Sequence, residues 1–241
     1  LPRLKATGEG SGTSLCVKTI YNYIDQGIFL KLTNEDLPVK RSTKKQRYRS
    51  VKRVALNNTK GRSIEDRPEG IELREGYGHW EMDCVVGKGK ACLLVLTERA
   101  SRQELIFKMT EKTQAQVVRC LDRLERRYGN RFPVLFSSIT MDNGSEFLDM
   151  ESLERSCIRK GKKRTICYYA HPYSAWERGS NEVNNRLIRR FVPKGSDISK
   201  ISVKRIRQIE CWMNDYPRRQ FGFRSASEVA SVLIPFLPWA T

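Results

Sequence analysis

The chain has 241 residues, 39% of them hydrophobic and 30% charged, with a net charge of +18 at pH 7. That length suits one large domain plus an appendage, and so basic a balance calls for a polyanionic partner, usually nucleic acid. There is no apolar run long enough to cross a membrane and no apolar signal core at the start, and seven scattered cysteines with two histidines exclude a disulfide framework and a Cys-x-x-Cys zinc site.

The thiols read as free and the compartment as reducing, hence cytoplasmic. The chain begins at Leu1, so an N-terminal piece is expected to be missing. Residues 14–29, SLCVKTIYNYIDQGIF, place Val17, Ile20, Tyr21 and Ile24 at helical spacing, with Ser14 as a cap and Gly27 as a stop. Such a helix fits the second helix of a helix-turn-helix, and fits any small amphipathic helix equally well. Residues 40–62 hold ten Lys or Arg and no acid. They read as a linker that also tracks DNA phosphates, with Lys44, Lys45, Arg47 and Arg49 as contacts and Tyr48 placed to stack.

From Gly78 the texture changes. Residues 79–110 form three β-type runs separated by GKGK and RASRQ. Residues 113–132 form a helix with Val117, Val118, Leu121 and Leu124 on one face and a stop at Gly129. PVLFSSITMDNGSEF, 133–147, reads as a buried strand ending on an acid and a turn. Residues 152–173 read as a short helix, a basic turn and a strand, and HPYSAWERGSNEVNNRLIRRF, 171–191, as a further helix. Beyond it, Ile206, Ile209 and Met213 form the stripe of a helix that packs on the core, and a last short helix begins near Ser225. The order β-β-β-α-β-α-β-α describes a mixed sheet with helices on it.

Two acids stand in or at the ends of buried strands. Asp83 lies within WEMDCVVG, on the face shared by Glu81 and Val85; it either serves a site or faces water from an edge strand. Asp142 ends LFSSITMDNG, where an ordinary Asp-Asn-Gly turn is the alternative. A carboxylate beside a core strand is costly unless paired or bound to a cation. With a third carboxylate on the last helix, such acids can hold hard divalent cations for phosphoryl transfer. The basic charge then favours a metal-assisted nuclease or polynucleotidyl transferase. Glu177 and Glu182 compete for the third place; five residues apart, they point about 140° apart around a helix and cannot both face one metal pair. Glu146 reads as a helix-start acid favoured by the dipole rather than a fourth ligand. Trp80 and Trp176 read as core residues, and His171 as a neighbour of the acids or a strand-end cap.

GHWEMDCVVG, MDNGSEF, HPYSAWERGSNEVNNRLIRRFVPKG and NDYPRRQFGFRSASEVA resemble the catalytic core of insertion-sequence transposases of the IS-thirty family, within the DDE transposases and retroviral-type integrases. The likeness spans roughly residues 14–235. It implies an RNase H-like α/β fold, a mixed five-stranded sheet with flanking helices, behind a helical remnant and a basic linker. It also implies boundaries at 1–39 for the truncated helix-turn-helix-like segment, 40–75 for the linker, 76–200 for the catalytic core and 201–241 for a helical extension. Asp83, Asp142 and Glu182 would be the catalytic, metal-binding acids, and Glu177 a bystander. Two departures stand out: the approach from Asp142 to Glu182 is lengthened by residues 157–164, and Val183 replaces a polar residue.

The resemblance further implies two Mg²⁺ or Mn²⁺ ions, hydrolysis at a transposon end and transfer of the freed 3′-OH into target DNA, by a homo-multimer on double-stranded DNA. Arg178, Asn181, Asn185, Arg186 and Lys194 are the residues expected to orient that DNA. A catalytically idle DNA-binding remnant, or an RNase H-like nuclease without strand transfer, are the competing readings.

Overall fold

The computed structural model describes residues 15–29, 31–33, 36–37, 61–172 and 179–234, with only the backbone at 179–183. The basic stretch 40–60, with Lys44, Lys45, Arg47 and Arg49, lies outside the described residues, as do Ser14, Trp176, Glu177 and Arg178. The chain divides into two compact units. The smaller contains helix α1, Val17–Asp25, and the segment Pro217–Arg224. Its N-cap is Cys16, whose thiol accepts from the Thr19 amide at 3.3 Å, and Gly27 follows the helix with φ +68°, a left-handed turn that glycine enters without a Cβ clash. Of the expected stripe, Ile24 is buried while Val17 and Tyr21 are exposed.

The larger unit is built on a five-stranded sheet. Strands β1 (His79–Val86), β2 (Cys92–Glu98) and β3 (Glu104–Met109) run antiparallel, and β4 (Ser138–Met141) and β5 (Ile166–Tyr169) continue parallel to β1, in the order β3-β2-β1-β4-β5. This is the RNase H-like arrangement the resemblance implies. Parallel neighbours need a crossover, and helix α2, Gln114–Tyr128, supplies it between β3 and β4. Thr113 caps α2 and Gly129 ends it with φ +55°.

Each face of the sheet has its own core. Trp80, Met82, Leu94 and Leu96 pack with Val117, Leu121 and Leu124 of α2. On the other face Val85, Leu93 and Val95 pack with Ile188 and Val192 of helix α4, Gly179–Phe191, and with Ile206, Ile209 and Met213 of helix α5, Val203–Asp215. Coverage on both faces explains why every residue of β2 is buried. Helix α3 spans Met150–Glu154 and helix α6 Ala226–Leu233, the latter opened by a Ser225–Glu228 capping box.

The stretch 133–147 differs from expectation. Phe132–Leu135 is a helical turn with Pro133 in its first turn, and β4 is confined to Ser138–Met141. Pro in the first turn costs no hydrogen bond, and the turn aligns Phe132 and Phe136 to stack at 4.5 Å, with Trp80 stacked on Phe136 at 4.8 Å. Residues 157–164, where the resemblance implies extra length, fold back ahead of β5. Arg164 is fully buried, donates to the carbonyls of Leu153 at 2.8 Å and Ser152 at 3.0 Å, and pairs with Asp122 and Glu125. β5 then meets β4 in register from Ser138↔Ile166 to Met141↔Tyr169.

Both sheet edges are covered. Ser63 bridges to Tyr169 beside β5. Along β3, α5 side chains do the work of a sixth strand: Asn214 Oδ1 accepts from the Glu104 amide at 2.8 Å, its Nδ2 donates to the Glu104 carbonyl at 2.9 Å, and Glu210 Oε2 accepts from the Ile106 amide at 2.6 Å. We expect Asn214→Ala, which strips both bonds from a buried strand edge, to lower unfolding free energy by about 2–4 kcal/mol in urea titrations; an unchanged midpoint would contradict this role of α5.

Candidate active site

Asp83 is the fifth residue of β1 and Asp142 directly follows β4. The parallel ladder pairs His79 with Ser138, Trp80 with Ile139 and Glu81 with Thr140. Carried on by two residues, that register puts Asp83 level with Asp142. Both carboxylates are half-buried; Asp142 lies at the carboxyl end of β4, where open α/β sheets place their ligands, and Asp83 lies within β1, two residues past the last β1–β4 pair.

Local bonds orient each acid. Asp142 Oδ1 accepts from the Gly144 amide at 3.0 Å, closing an Asx turn, and Asn143 Nδ2 donates to the Ala170 carbonyl at 2.8 Å, tying that turn to the end of β5. Asp83 Oδ1 accepts from its neighbour's amide, Cys84 N, at 2.8 Å. Its Oδ2 accepts from Asn185 Nδ2 of α4 at 2.7 Å. α4 packs against β1 and β2, held in part by this bond.

Asn185 fixes which side of α4 faces the site. Position 182 precedes it by three residues, on the same side of the helix; the backbone there is helical and its side chain lies outside the description, as does that of Asn181. Arg189, four residues beyond Asn185, donates to the Val86 carbonyl at 2.7 Å. Burial lowers its pKa while the charge of Asp83 works the other way. Arg189 was not among the expected site residues, although the row from Asn185 at helical spacing carries it. Of the other expected contacts, Arg186 and Lys194 are exposed.

The surroundings sort the remaining polar residues. Glu81 is buried in an ion pair with Arg99, which also contacts Glu72 at 3.3 Å. His79 Nδ1 lies 2.8 Å from Ser138 Oγ, and burial, with the charges of Arg99 and Arg67, lowers its pKa and keeps it neutral. His171 follows β5 with Nε2 3.6 Å from Glu65. Trp80 is fully buried and donates to the Leu135 carbonyl at 2.7 Å, a core residue as expected. Glu146 does sit in a single helical turn, Ser145–Phe147, but its carboxylate is buried and pairs with Lys112 at 2.9 Å. Burial opposes the Lys112 charge, the Glu146 bond and charge outweigh it, and the net pKa shift is upward.

The donor set suits a hard cation. Two aspartates stand level on neighbouring strands, one of them bonded to the Asn185 amide, and carboxylate oxygens of that kind bind Mg²⁺ or Mn²⁺. A second acidic group, Asp122, Glu125 and Cys157, is already matched: Arg164 pairs with both carboxylates, and Glu125 accepts from the Cys157 amide at 2.8 Å. No helix among the described residues is long and apolar enough to cross a membrane.

The integrase core domain matches residues 74–172 of the chain, a span that contains both aspartates and stops before α4. A probable transposase for the insertion-like sequence element IS1161 of Streptococcus salivarius is 35% identical over 88% of this chain and 57% of its own length. The transposase for IS4351 of Bacteroides fragilis is 34% identical over 77% of this chain and 56% of its length. Transposase InsI for IS30C of Escherichia coli K12 is 29% identical over 75% of this chain and 45% of its length. The chain thus spans about half the length of the curated relatives it matches.

Gly144 offers a test of how tightly the site is built. Its backbone, φ −60° and ψ 144°, is open to any residue, and Gly→Ala at such a position ordinarily stabilises by about 0.4–1 kcal/mol. A Cβ here would lie 2.7 Å from Glu146 Oε2 and 2.9 Å from Asp142 Oδ1. We therefore expect Gly144→Ala to destabilise by about 1–3 kcal/mol in chemical denaturation, the opposite sign.

Proposed function

The chain belongs to the integrase-core family of insertion-sequence transposases, and on that premise we propose that it is a metal-dependent DNA transposase that cleaves transposon-end phosphodiesters and transfers the 3′-OH into target DNA. The observation that carries this reading is the level placement of Asp83 and Asp142 on adjacent parallel strands, with α4 bonded to Asp83 through Asn185. Asp83, Asp142 and Glu182 are the residues that would hold the ions. When bound, two Mg²⁺ or Mn²⁺ ions would supply charge stabilisation to the attacking and leaving oxygens of an in-line displacement.

The protein's own contribution is orientation. Asn185 fixes one Asp83 oxygen by donating to it at 2.7 Å. The Asx turn at Asp142 does the same from β4. Position 182, one turn before Asn185, brings the third acid in from the helix. Arg178, Asn181, Arg186 and Lys194, with Lys44, Lys45, Arg47 and Arg49 of the basic arm, contact phosphates and set the register of the duplex. The protein works as a homo-multimer across paired ends, on nucleoid DNA in the bacterial cytoplasm. Its functional segments are 1–39 for end recognition, 40–75 as linker, 76–200 as catalytic core and 201–241 as extension.

The test is one assay: purified chain, a labelled duplex from the ends of the element that encodes it, Mg²⁺ or Mn²⁺, and a gel resolving nicks from joined products. Both products are expected. Asp83→Ala, Asp142→Ala and Glu182→Ala should each cut the rate by about 10³-fold or more, since several kcal/mol of charge stabilisation is lost, while Glu177→Ala keeps it. Nicks without joined products would reduce the protein to a nuclease, and undiminished nicking in any of the three variants would remove that residue from the site.

A further inference from the structure

The turn after β4 carries an acid that the proposed chemistry leaves unused. Glu146 is 3% exposed. Its Oε1 faces the Lys112 ammonium at 2.9 Å. Its Oε2 is buried with no hydrogen-bond partner among the described residues. Buried carboxylate oxygens in native proteins accept from some donor, so an orphan of this kind marks a place where a donor arrives.

The neighbourhood indicates what arrives. A Cβ built on Gly144 would meet Glu146 Oε2 at 2.7 Å and Asp142 Oδ1 at 2.9 Å. Both carboxylates therefore converge on one small space that only a glycine leaves open. Asp142 Oδ1 already accepts from the Gly144 amide at 3.0 Å, so the oxygen there that still lacks a donor among the described residues is Glu146 Oε2, and like charges so close favour an added cation or donor. Lys112 answers one of the two charges from the far side, through Oε1, and its ammonium stays charged beside Asp142. Asp83 adds a third acid at the same end of the sheet.

We infer that Glu146 is a fourth carboxylate of the divalent-ion site, a positioning residue whose Oε2 accepts from the hydration shell of the cation held by Asp83 and Asp142. The inference rests on the metal reading above. Lys112 holds the other oxygen, Oε1, at 2.9 Å and so fixes how the carboxylate is turned.

The test is Mn²⁺ binding to the full chain without DNA, read from loss of the free-ion electron paramagnetic resonance signal. Glu146→Gln should weaken binding about 10–100-fold, as loss of such an outer partner does elsewhere. Glu146→Asp, which keeps the charge and withdraws the oxygen by one methylene, should weaken it nearly as much. The double variant Lys112→Met/Glu146→Gln leaves the local net charge unchanged and should still bind at least about tenfold more weakly. Thermal unfolding without ions identifies variants that fold, and the double variant decides where Glu146→Gln alone does not. Wild-type affinity in Glu146→Asp or in the double variant would overturn the inference. Retained Mn²⁺ binding in both Asp83→Asn and Asp142→Asn would instead sink the metal reading itself, whereas loss there with wild-type binding in the Glu146 variants would sink this inference alone.

Discussion

The parallel pairing of β1 with β4 is the constraint on which the site depends. In a parallel ladder the two strands end on the same side, so acids placed near their carboxyl ends come together without help from the loops. The register from His79↔Ser138 to Glu81↔Thr140 brings Asp83 level with Asp142. A slip of one residue would turn Asp83 to the opposite face of the sheet, among the α2 core residues. The pairing is held by burial on both faces, from Trp80 and Met82 on one side and Val85 on the other, so the core itself maintains the alignment of the acids.

α4 is placed by the same logic. Ile188 and Val192 pack it onto the sheet, and Asn185 and Arg189 then reach β1 at Asp83 and Val86. Apolar contacts choose the helix's seat, and two polar contacts choose its rotation. Position 182 lies three residues before Asn185, on the same side of the helix backbone.

A chain with so large a basic excess still buries a number of acids, and nearly all are matched. Glu154 accepts from the Cys167 amide at 2.9 Å and pairs with Lys163 and Arg62; burial raises its pKa, these partners outweigh burial, and the net shift is downward. Arg164 pairs with Asp122 and Glu125, and Arg99 with Glu81. Pairs of this kind contribute little net stability and much geometric specificity in some proteins. Here they tie Arg62, Lys163 and Arg164, which flank β5, to the α2 and α3 helices. Among the described residues two buried carboxylate oxygens have no hydrogen-bond partner, Glu81 Oε2 and Glu146 Oε2, and of these Glu146 is the one in the turn that carries Asp142.

The sequence by itself determined the three-stranded meander, α2 with its glycine stop, α4, and the two aspartates, one inside a strand and one at a strand end, because alternation, helical spacing and turn residues are local signals. Asp83 was legible as facing with Glu81 and Val85 from the period of two alone. The helical turn at Phe132–Leu135 was hidden, since an apolar run with one proline reads as strand until Phe132, Phe136 and Trp80 are seen to stack. Only the tertiary structure decided that Arg189 joins the row facing β1, that Asn185 bonds Asp83 rather than open solvent, and that Glu146 turns inward against Lys112 rather than out toward water. Each of those outcomes is a contact between residues far apart in the chain, and their geometry exists only once the sheet has set the strands in register and both faces are packed.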